Sequence, residues 1–538
     1  MKKFIDKYKS ALIISFASSF MVFIYEQISS YASNIKDYWF DIYQFFPIIL
    51  FEFLISFICI STILILIKKY KEKIYKPLYA FIVALFLALY IEGNYLIVFL
   101  PELNGDPIIW SNYIIQMIIS SLIWITVFVV VLVIYKKIKY IKFEKYSIYA
   151  MGVIVLLLLS ASIFSLCIKY TLNDKNPIAS TEDNINDISS KQNFIIFVVD
   201  TIDATRFEKV LKGLGKEEVF NDFTFFKDTM SVYPNTMLSV PQILTGYEFK
   251  NEESFNEFAI KAYDNSPLFS ELEKRDYTMN IYDIEFPYQG DNYKRFANTS
   301  REDNVNYLQL VKSQLKLLAF KYFPYPLKQF VSFGYLEFNQ SRKLSDGKKL
   351  YDYDTYKNFN RLKSEEVNIV DHNNFIYYHI EGAHTPFNID YNMKVYEDNA
   401  STYNNEVGAS IRVMEEYLNR FKETGNYDNS IIIFMSDHGF GGLDNYGRQN
   451  ALLMVKGFNE KHELITSDTK VSFDELMDAY MDLLNNKKST EIFTESKEER
   501  RFLDYAYLNE CNIIEKKTKD HAWETEKLVE TGVTFNCK

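Results

Sequence analysis

Five long apolar segments in the first third of the 538-residue chain restrict its architecture more than any other feature. Their bounds are residues 10–30, 45–67, 77–98, 113–135 and 147–168. Each is close to the roughly 20 residues that an α-helix needs to cross a bilayer. A removable signal peptide would supply only one such segment. The sequence therefore predicts a polytopic α-helical membrane domain of five helices over residues 1–169.

Basic residues are distributed unevenly between the loops of this domain. Four lysines precede the first segment, five lie in residues 68–76, and five lie in residues 136–145. The loops between these clusters, 26–44 and 92–112, carry only Lys36. By the positive-inside rule the N-terminus is cytoplasmic, and five crossings carry everything after residue 169 to the outer face. We expect a multi-pass protein of the cell membrane with an extracellular C-terminal part.

Three glutamates, Glu26, Glu52 and Glu92, lie in or near the apolar segments. An ionisable group inside a bilayer is costly and often functional. We interpret Glu26 and Glu92 as helix-end residues at the level of the lipid headgroups, and Glu52 as the deeper of the three. The sequence assigns no role to any of them.

The remaining part of the chain predicts an α/β domain with a mostly parallel sheet. A polar stretch, residues 170–191, is typical of a linker, and we place the catalytic domain at 192–490 with a C-terminal extension, 491–538, packing on it. Four short apolar runs are typical of strands buried on both faces: residues 194–200, 375–380, 431–437 and 451–457. Between the second and third runs, apolar residues at helical spacing predict an amphipathic helix, with Val407, Ile411, Met414 and Leu418 on one face.

Metal-binding residue types follow the predicted strands. Asp200 ends one strand, and Asp437 and His438 end another. Because ligands bind outside the carboxyl ends of parallel strands, these groups are expected to converge with the hydroxyl of Thr236. Such oxygen-rich donors with one nitrogen suit zinc, manganese or magnesium, which would make Thr236 a usable nucleophile. The alternative for Thr236 is a helix N-cap, a common role for threonine.

Other polar residues are weaker candidates. His379 lies inside a predicted strand and could be a hydrogen-bonded core residue, whereas His384 lies in a loop before a proline. We predict phosphate contacts for Arg295, Arg448 and Lys456, although isolated basic residues are usually solvated surface charges. Two cysteines of the outer part, Cys511 and Cys537, could form a disulfide in an oxidising compartment; the sequence leaves their pairing open.

Two motifs carry a resemblance to a known family. The segment NFIIFVVDTIDATRF (193–207) resembles the opening strand of the sulfatase branch of the alkaline phosphatase superfamily, in which the terminal acidic residue binds metal. The segment YDNSIIIFMSDHGFGG (427–442) is very similar to that family's Asp-His-Gly motif. The resemblance covers roughly residues 192–460 and implies an alkaline phosphatase/sulfatase-like fold. The branch includes membrane-bound phosphoethanolamine and phosphoglycerol transferases.

The resemblance implies roles for individual residues. Asp200, Thr236, Asp437 and His438 match the ligands of one divalent metal ion, and Thr236 also matches the residue that carries the phosphoryl group in the covalent intermediate. Sulfatases place the precursor of formylglycine nine residues before a Thr-Gly pair, and Thr236 stands nine before Thr245. Threonine cannot form that aldehyde, and it is the residue that the transferases use.

Two further segments compare with the transferases. The stretch HIEGAHTP is similar to one of theirs, which implies that His379 and His384 contact the phosphoryl or leaving group. Thr201 replaces the second of the paired aspartates of sulfatases, which favours one primary metal. The five-helix layout is similar to that of lipoteichoic acid synthases, but the corresponding stretch NIYDIEFPYQGDNYKRF lacks their histidine and tryptophan, so the donor headgroup is left open.

We therefore expect a metal-dependent enzyme that transfers a phosphoglycerol or phosphoethanolamine headgroup from a membrane phospholipid to an extracellular glycan or glycolipid. We expect no nucleic-acid partner. The first alternative is a hydrolase of phosphate or sulfate esters. The second is a non-catalytic pseudoenzyme that regulates envelope synthesis.

Overall fold

A computed structural model describes residues 2–34, 38–100, 108, 110–169, 178–284, 286–301, 304–331, 333–334, 337–344, 347–396, 400–441, 447–505 and 512–536. Its α-helices are α1 (Lys2–Ser19), α2 (Glu26–Ser33), α3 (Ile42–Tyr70), α4 (Glu72–Ile91), α5 (Ile114–Lys137), α6 (Tyr140–Lys169), α7 (Ala204–Leu214), α8 (Thr236–Thr245), α9 (Phe255–Asp264), α10 (Pro267–Lys274), α11 (Tyr307–Tyr322), α12 (Tyr325–Lys328), α13 (Thr355–Ser364), α14 (Tyr403–Glu423) and α15 (Leu476–Leu484). Its strands are β1 (Ile178–Ser180), β2 (Asp187–Ser189), β3 (Asn193–Val199), β4 (Thr224–Met230), β5 (Tyr277–Tyr282), β6 (Thr299–Arg301), β7 (Asn304–Val305), β8 (Arg342–Lys343), β9 (Asn368–Val370), β10 (Asn373–Ile380), β11 (Ser430–Met435), β12 (Leu453–Lys456), β13 (Ile465–Ser472), β14 (Arg500–Tyr505), β15 (Asn512–Thr518) and β16 (Val529–Asn536).

The five apolar segments form helices that are long and apolar enough to cross a membrane. These helical stretches are Phe4–Ser33, Ile42–Tyr70, Glu72–Phe99, Trp110–Lys137 and Tyr140–Ser165. Two of them contain a π-helical turn, Phe20–Tyr25 in the first and Glu92–Leu96 in the third. The expected five-helix membrane domain is confirmed, and it supports anchoring in a membrane.

The chain divides into two units that are not continuous in sequence. The first unit contains residues 1–176 together with 303–343, and the second contains 177–302 together with 344–538. Sequence analysis assigned residues 303–343 to the catalytic domain, whereas the structure groups them with the membrane helices. The reason is that apolar and tyrosine side chains of α11 pack into the apolar clusters of the first unit, and the hydroxyl of Tyr325 in α12 donates to the carbonyl of Leu96. The other predicted boundaries, at 169, 191 and 490, stay predictions.

The glutamates of the membrane helices are accommodated differently from our expectation. Glu26 and Glu92 are completely buried within the protein. Their carboxylates are therefore surrounded by protein groups and do not lie among lipid headgroups as expected. Glu52 is half-buried in α3, and its carboxylate oxygens have no hydrogen-bond partner among the residues that the structure describes.

The second unit is built on a seven-stranded sheet with the order β13-β4-β12-β11-β3-β10-β5. Every pair is parallel except the two that involve β12. Six strands therefore run in one direction, and their carboxyl ends lie at one edge. This arrangement confirms the predicted mostly parallel α/β architecture.

The two faces of this sheet are both covered, as the continuous apolar strands indicate. Along β3, Phe194, Ile196 and Val198 belong to one apolar cluster, and Ile195, Phe197 and Val199 belong to the other. The predicted amphipathic helix is α14. Its four predicted face residues, Val407, Ile411, Met414 and Leu418, are all buried in the second cluster.

The C-terminal residues form a separate antiparallel sheet of three strands, β14-β15-β16. The buried Arg500 attaches this sheet to β4, because its Nη1 lies 2.8 Å from Oδ1 of the buried Asp228. The backbone N–H of Leu503 also donates to the carbonyl of Val232. Cys511, Cys537 and Lys36 lie outside the described residues, as does the first part of the predicted linker, 170–177.

Candidate active site

Three metal-binding residue types meet at the carboxyl edge of the sheet. Asp200 directly follows β3, and Asp437 and His438 follow its neighbour β11. One ligand atom from each of these residues lies within 4.8 Å of the other two. All three residues are buried. The predicted convergence of these side chains is therefore present, because two adjacent parallel strands end there.

Hydrogen bonds to both carboxylate oxygens orient Asp437. The N–H of Thr201 donates to Oδ1 at 3.2 Å, and the hydroxyl of Thr236 donates to Oδ2 at 2.7 Å. Thr201 reaches this position with a φ of 56°, a left-handed conformation that β-branched residues rarely adopt. Backbone strain of this kind is often found at functional sites.

His438 presents its second ring nitrogen to the carboxylates. Its Nδ1 lies 2.8 Å from the carbonyl of Gly439, which can only accept, so Nδ1 carries the proton. Its Nε2 lies 3.3 Å from Oδ2 of Asp437 and 3.9 Å from Oδ1 of Asp200. A backbone carbonyl that fixes the tautomer in this way is typical of metal-binding histidines.

The charge states of these groups suit a cation. Burial alone would raise the pKa of Asp437, but the imidazoles of His438 and His379 and the hydroxyl of Thr236 outweigh it and lower the pKa to about 2. Burial lowers the pKa of His438 more than the nearby carboxylate of Asp437 raises it. At neutral pH the site therefore offers the ionised carboxylate of Asp437 and a neutral imidazole nitrogen of His438, the forms that bind metal.

Thr236 is the first residue of α8, and the cap of that helix is its neighbour. The side chain of Asn235 accepts from the N–H of Leu238 at 3.0 Å. The N-cap alternative for Thr236 is therefore wrong, and its half-buried hydroxyl is available to bond Asp437. The first turn of a helix also favours negative charge, because its N–H groups point towards the ligand.

The spacing between Thr236 and the Thr-Gly pair corresponds to the length of α8. Thr245 is the last residue of the helix, and its hydroxyl donates to the carbonyl of Pro241. Gly246 ends the helix in the left-handed conformation, with a φ of 74°. A side chain there would clash, because a Cβ would lie 2.6 Å from Cγ of Met477. The motif thus fixes where the helix ends, while Thr236 marks where it begins.

His379 lies at the same edge, on β10, between two carboxylates. Its Nε2 is 3.9 Å from Oδ2 of Asp200, and its Nδ1 is 3.6 Å from Oδ1 of Asp283. Both His379 and Asp283 are buried. Sequence analysis did not select Asp283, although it ends β5 in the same way that Asp200 ends β3. An acidic residue after an apolar strand was the signal that could have identified it.

His384 and Arg448 also belong to this neighbourhood. Each adds positive charge that disfavours protonation of His438. The guanidinium of Arg448 donates to the carbonyl of Pro234, two residues before Thr236, at 3.2 Å. The Nδ1 of His384 donates to the carbonyl of Thr385 at 2.8 Å. The predicted contact of Arg448 with phosphate therefore stays a prediction with a suitable location.

Two predicted phosphate contacts are engaged elsewhere. Arg295 lies 2.8 Å from Glu273 and also donates to the carbonyl of Tyr263. Lys456 is fully buried and pairs with Ile432 at the amino end of β11. Asp437 lies five positions further along the chain than Ile432, which is roughly 17 Å at about 3.4 Å per residue. The structure does not bring Arg295 or Lys456 to the cluster.

The cluster fits a single divalent cation. Ligand atoms bound to one zinc ion at about 2.0 to 2.2 Å lie at most roughly 4.4 Å apart, so a small contraction of the cluster would suffice. Asp200, Asp437 and His438 supply two oxygens and one nitrogen, and the hydroxyl of Thr236 supplies a fourth donor. Manganese and magnesium accept the same oxygen-rich set.

Comparison with known proteins identifies the family. A profile of the Sulfatase family matches residues 192–486, which is more than half of the chain. This chain belongs to the sulfatase family. The matched range covers all the cluster residues, and the expected sulfatase-like fold is confirmed. No curated protein matches the sequence significantly.

Several solved structures are similar to this chain at low identity. Ps i-CgsB in complex with k-i-k-neocarrahexaose is 17% identical, with a TM-score of 0.41 over 61% of this chain and 82% of that one. The C-terminal periplasmic domain of EcEptC from Escherichia coli is 12% identical, with a TM-score of 0.31 over 66% and 95%. Phosphonate monoester hydrolase SpPMH from Silicibacter pomeroyi is 13% identical, with a TM-score of 0.34 over 65% and 89%.

Membership of the sulfatase family supports an enzymatic activity and a dependence on metal. It also covers both transfer and hydrolysis of esters. The choice between these reactions, the metal and the substrates are therefore matters for the proposal that follows.

Proposed function

We propose that the second unit transfers a headgroup phosphate, phosphoglycerol or phosphoethanolamine, from a membrane phospholipid to an extracellular glycan or glycolipid through a phosphothreonine at Thr236. The observation that carries this proposal is the hydroxyl of Thr236. Thr236 is the first residue of α8 and is half-exposed, and its hydroxyl oxygen lies 2.7 Å from Oδ2 of Asp437 in the metal-binding cluster. The hydroxyl can act as a nucleophile, and because threonine is a secondary alcohol, its oxidation would give a ketone and not the aldehyde of a sulfatase.

A divalent cation bound by Asp200, Asp437 and His438 would lower the pKa of the Thr236 hydroxyl and offset charge on the phosphate. In the first step, the Thr236 oxygen forms a bond to phosphorus and the bond from phosphorus to the diacylglycerol oxygen breaks. The hydroxyl proton passes to solvent, because Asp437, whose pKa is lowered to about 2, stays ionised. His384 donates a proton to the departing oxygen, since an imidazole exchanges protons near neutral pH.

In the second step, an acceptor hydroxyl attacks the same phosphorus, the bond from phosphorus to Thr236 breaks, and the Thr236 oxygen regains a proton from solvent. His384, now neutral, takes the proton of the acceptor. We propose that His379 and Arg448 hold the phosphoryl oxygens. His379 lies between Asp200 and Asp283, and Arg448 donates to the carbonyl of Pro234, two residues before Thr236. The five membrane helices would keep the unit close to a lipid donor, which a soluble ester hydrolase does not need.

The test is detection of the intermediate on the full-length protein in vesicles. Isotope-labelled phosphatidylglycerol or phosphatidylethanolamine should yield metal-dependent diacylglycerol and a labelled adduct on Thr236 in mass spectra. Thr236→Ala should give neither product, and Thr236→Ser, which keeps the hydroxyl, should give both. If neither lipid is consumed while a soluble phosphate or sulfate ester is hydrolysed efficiently, the hydrolase alternative replaces this proposal.

A further inference from the structure

The segment 304–343 begins and ends in two short strands that pair with each other. Its first residues form β7 and its last residues form β8, and the two strands pair antiparallel, with Asn304 opposite Lys343. Between them, α11 and α12 pack within the first unit. Leu310 and Phe338 join an apolar cluster with Trp39, while Leu318 joins another with the membrane helices. The indole N–H of Trp39 also donates to the carbonyl of Phe338 at 3.0 Å.

Both buried glutamates of the membrane helices lie at π-helical turns. Glu26 directly follows the π-helical turn Phe20–Tyr25, and Glu92 is the first residue of the turn Glu92–Leu96. Such turns are rare, and they often occur at functional sites because they displace side chains and leave carbonyls without their usual helical partners. The two sites therefore share both a buried carboxylate and an altered backbone.

A lysine of the 304–343 segment meets the first of these carboxylates. Nζ of Lys321, near the end of α11, lies 2.5 Å from Oε1 of Glu26. The hydroxyl of the adjacent Tyr322 donates to Oε2 at 3.1 Å, and the hydroxyl of Ser30 donates to Oε1 at 2.6 Å. The carboxylate is thus surrounded by donors, most of them from the segment.

A second lysine meets the other carboxylate. Nζ of Lys328, at the end of α12, lies 3.2 Å from Oε1 of Glu92, and both side chains are fully buried. The hydroxyl of Ser120 and the indole of Trp124 donate to Oε2 of Glu92 at 2.9 and 3.1 Å. An isolated buried charge of either sign would be unfavourable by several kcal/mol. Each member of this pair therefore requires the other.

Tyrosines of the segment contact carbonyls of both π-helical turns. The hydroxyl of Tyr325 donates to the carbonyl of Leu96 at 2.8 Å, and the hydroxyl of Tyr322, which donates to Glu26, lies 3.3 Å from the carbonyl of Met21. Gly93 leaves room for the Tyr322 ring, because a Cβ at position 93 would lie 2.5 Å from Cε1 of that ring. The turns and the segment are complementary in charge, hydrogen bonding and shape.

We propose that residues 304–343 form a docking segment, called here the seating element. Its Lys321 and Lys328 bind Glu26 and Glu92 of the membrane helices. An intramembrane carboxylate is commonly part of an ion or proton pathway. Here each one is instead occupied by a lysine whose main chain belongs to the seating element. Both ends of the element continue along the chain into the second unit.

A double-mutant cycle on the full-length protein in detergent tests the pairing. Lys328→Met and Glu92→Gln should each lower the midpoint of thermal denaturation by roughly 5 to 10 °C, because each leaves a buried charge without its partner. The double variant should lose much less than the sum, since it buries no charge. Lys312→Met is the matched control, because this lysine is exposed on α11, and it should change the midpoint by about 2 °C at most. Additive losses would overturn the proposal.

A crosslinking experiment keeps the proposal testable if a single variant does not accumulate. In a chain without its native cysteines, Gly93→Cys and Tyr322→Cys should be joined by a short bis-methanethiosulfonate reagent. Each cysteine alone should remain unlinked. If the pair is not joined although each thiol can be labelled separately, the element does not occupy the turn at Glu92–Leu96 and the proposal fails.

Discussion

Replacing Lys456 by methionine separates a structural role from a role in substrate binding. Nζ of Lys456 is fully buried and donates to the carbonyls of Tyr427, Ser430 and Gly457 at 2.9, 2.9 and 3.1 Å. Methionine has a similar shape and leaves these three carbonyls without that donor. We expect Lys456→Met to destabilise the second unit and to leave the substrate KM of the folded protein unchanged.

The magnitude follows from two opposing contributions. Each hydrogen bond from a charged group contributes about 1.5 to 3 kcal/mol, so the loss of the three bonds from the Lys456 amine costs about 6 kcal/mol. Burial lowers the pKa of Lys456 from its ordinary 10.5 to about 8. At 1.36 kcal/mol per pH unit, the variant recovers about 3.4 kcal/mol by no longer burying the charge. The expected net loss of unfolding free energy is therefore about 3 kcal/mol near pH 7.

The sign of the pH dependence also follows. Because the folded pKa lies below the unfolded one, the unfolded state holds more protons between about pH 8 and 10.5. The wild type should therefore gain stability relative to the variant as the pH rises through this window. Pulse proteolysis of the full-length protein in urea measures both quantities. Lys461→Met, at an exposed lysine paired with Asp428, is the control and should lose about 1 kcal/mol at most.

A stability loss below about 1 kcal/mol together with a raised KM would refute this reasoning and return Lys456 to the substrate contacts. A difference between wild type and variant that does not change with pH would show that the buried amine is not the group that titrates.

Four other predictions address the site and the topology. Asn235→Ala should cost about 1 kcal/mol of stability through loss of the α8 cap and leave turnover per folded molecule intact. Thr236→Ala should abolish turnover. Loss of turnover in both variants would indicate that the Thr236 hydroxyl has only a structural role. Manganese or zinc at about 100 times its Kd should stabilise the wild type by about 2.7 kcal/mol, and an equal effect in His438→Ala would place the metal elsewhere. Asp283→Asn should lower kcat at least roughly tenfold while the stabilisation by metal persists, because the ring of His379 loses the carboxylate that faces it; an unchanged kcat would contradict this. Protease added to intact, wall-stripped cells should cleave residues 178–538, and protection of this part while an outer-face control is cleaved would reverse the topology.

Local patterns were sufficient to predict several parts of this structure. The five membrane helices, four strands and α14 each have a period or length that few other structures share. Asp200, Asp437 and His438 could be placed together because they follow strands, and the ends of parallel strands meet at one edge. These predictions depend on the nearest residues in the sequence and on a general rule of topology.

Other parts depend on contacts that no local pattern records. Lys456 lies at the end of an apolar strand and in this respect resembles the metal ligands. However, β12 runs antiparallel to its neighbours, which places this lysine at the opposite end of the sheet. The lysines of α11 and α12 resemble those of many surface helices, but Lys321 in α11 pairs with Glu26 and Lys328 in α12 pairs with Glu92, and both glutamates are far away in sequence. The cap of α8 was ambiguous between Asn235 and Thr236 because both residue types serve as caps.

The paired ends of the 304–343 segment bear on how the second unit could be obtained without its membrane helices. A protein shortened to begin at Ile178 would still contain α11 and α12, and their buried side chains, such as Leu310, Leu318 and Tyr322, would face water. A continuous apolar patch of this kind promotes self-association. Because β7 and β8 hold Asn304 beside Lys343, a two-residue turn could replace everything between the strands. A soluble enzyme would therefore require an internal excision as well as a new N-terminus.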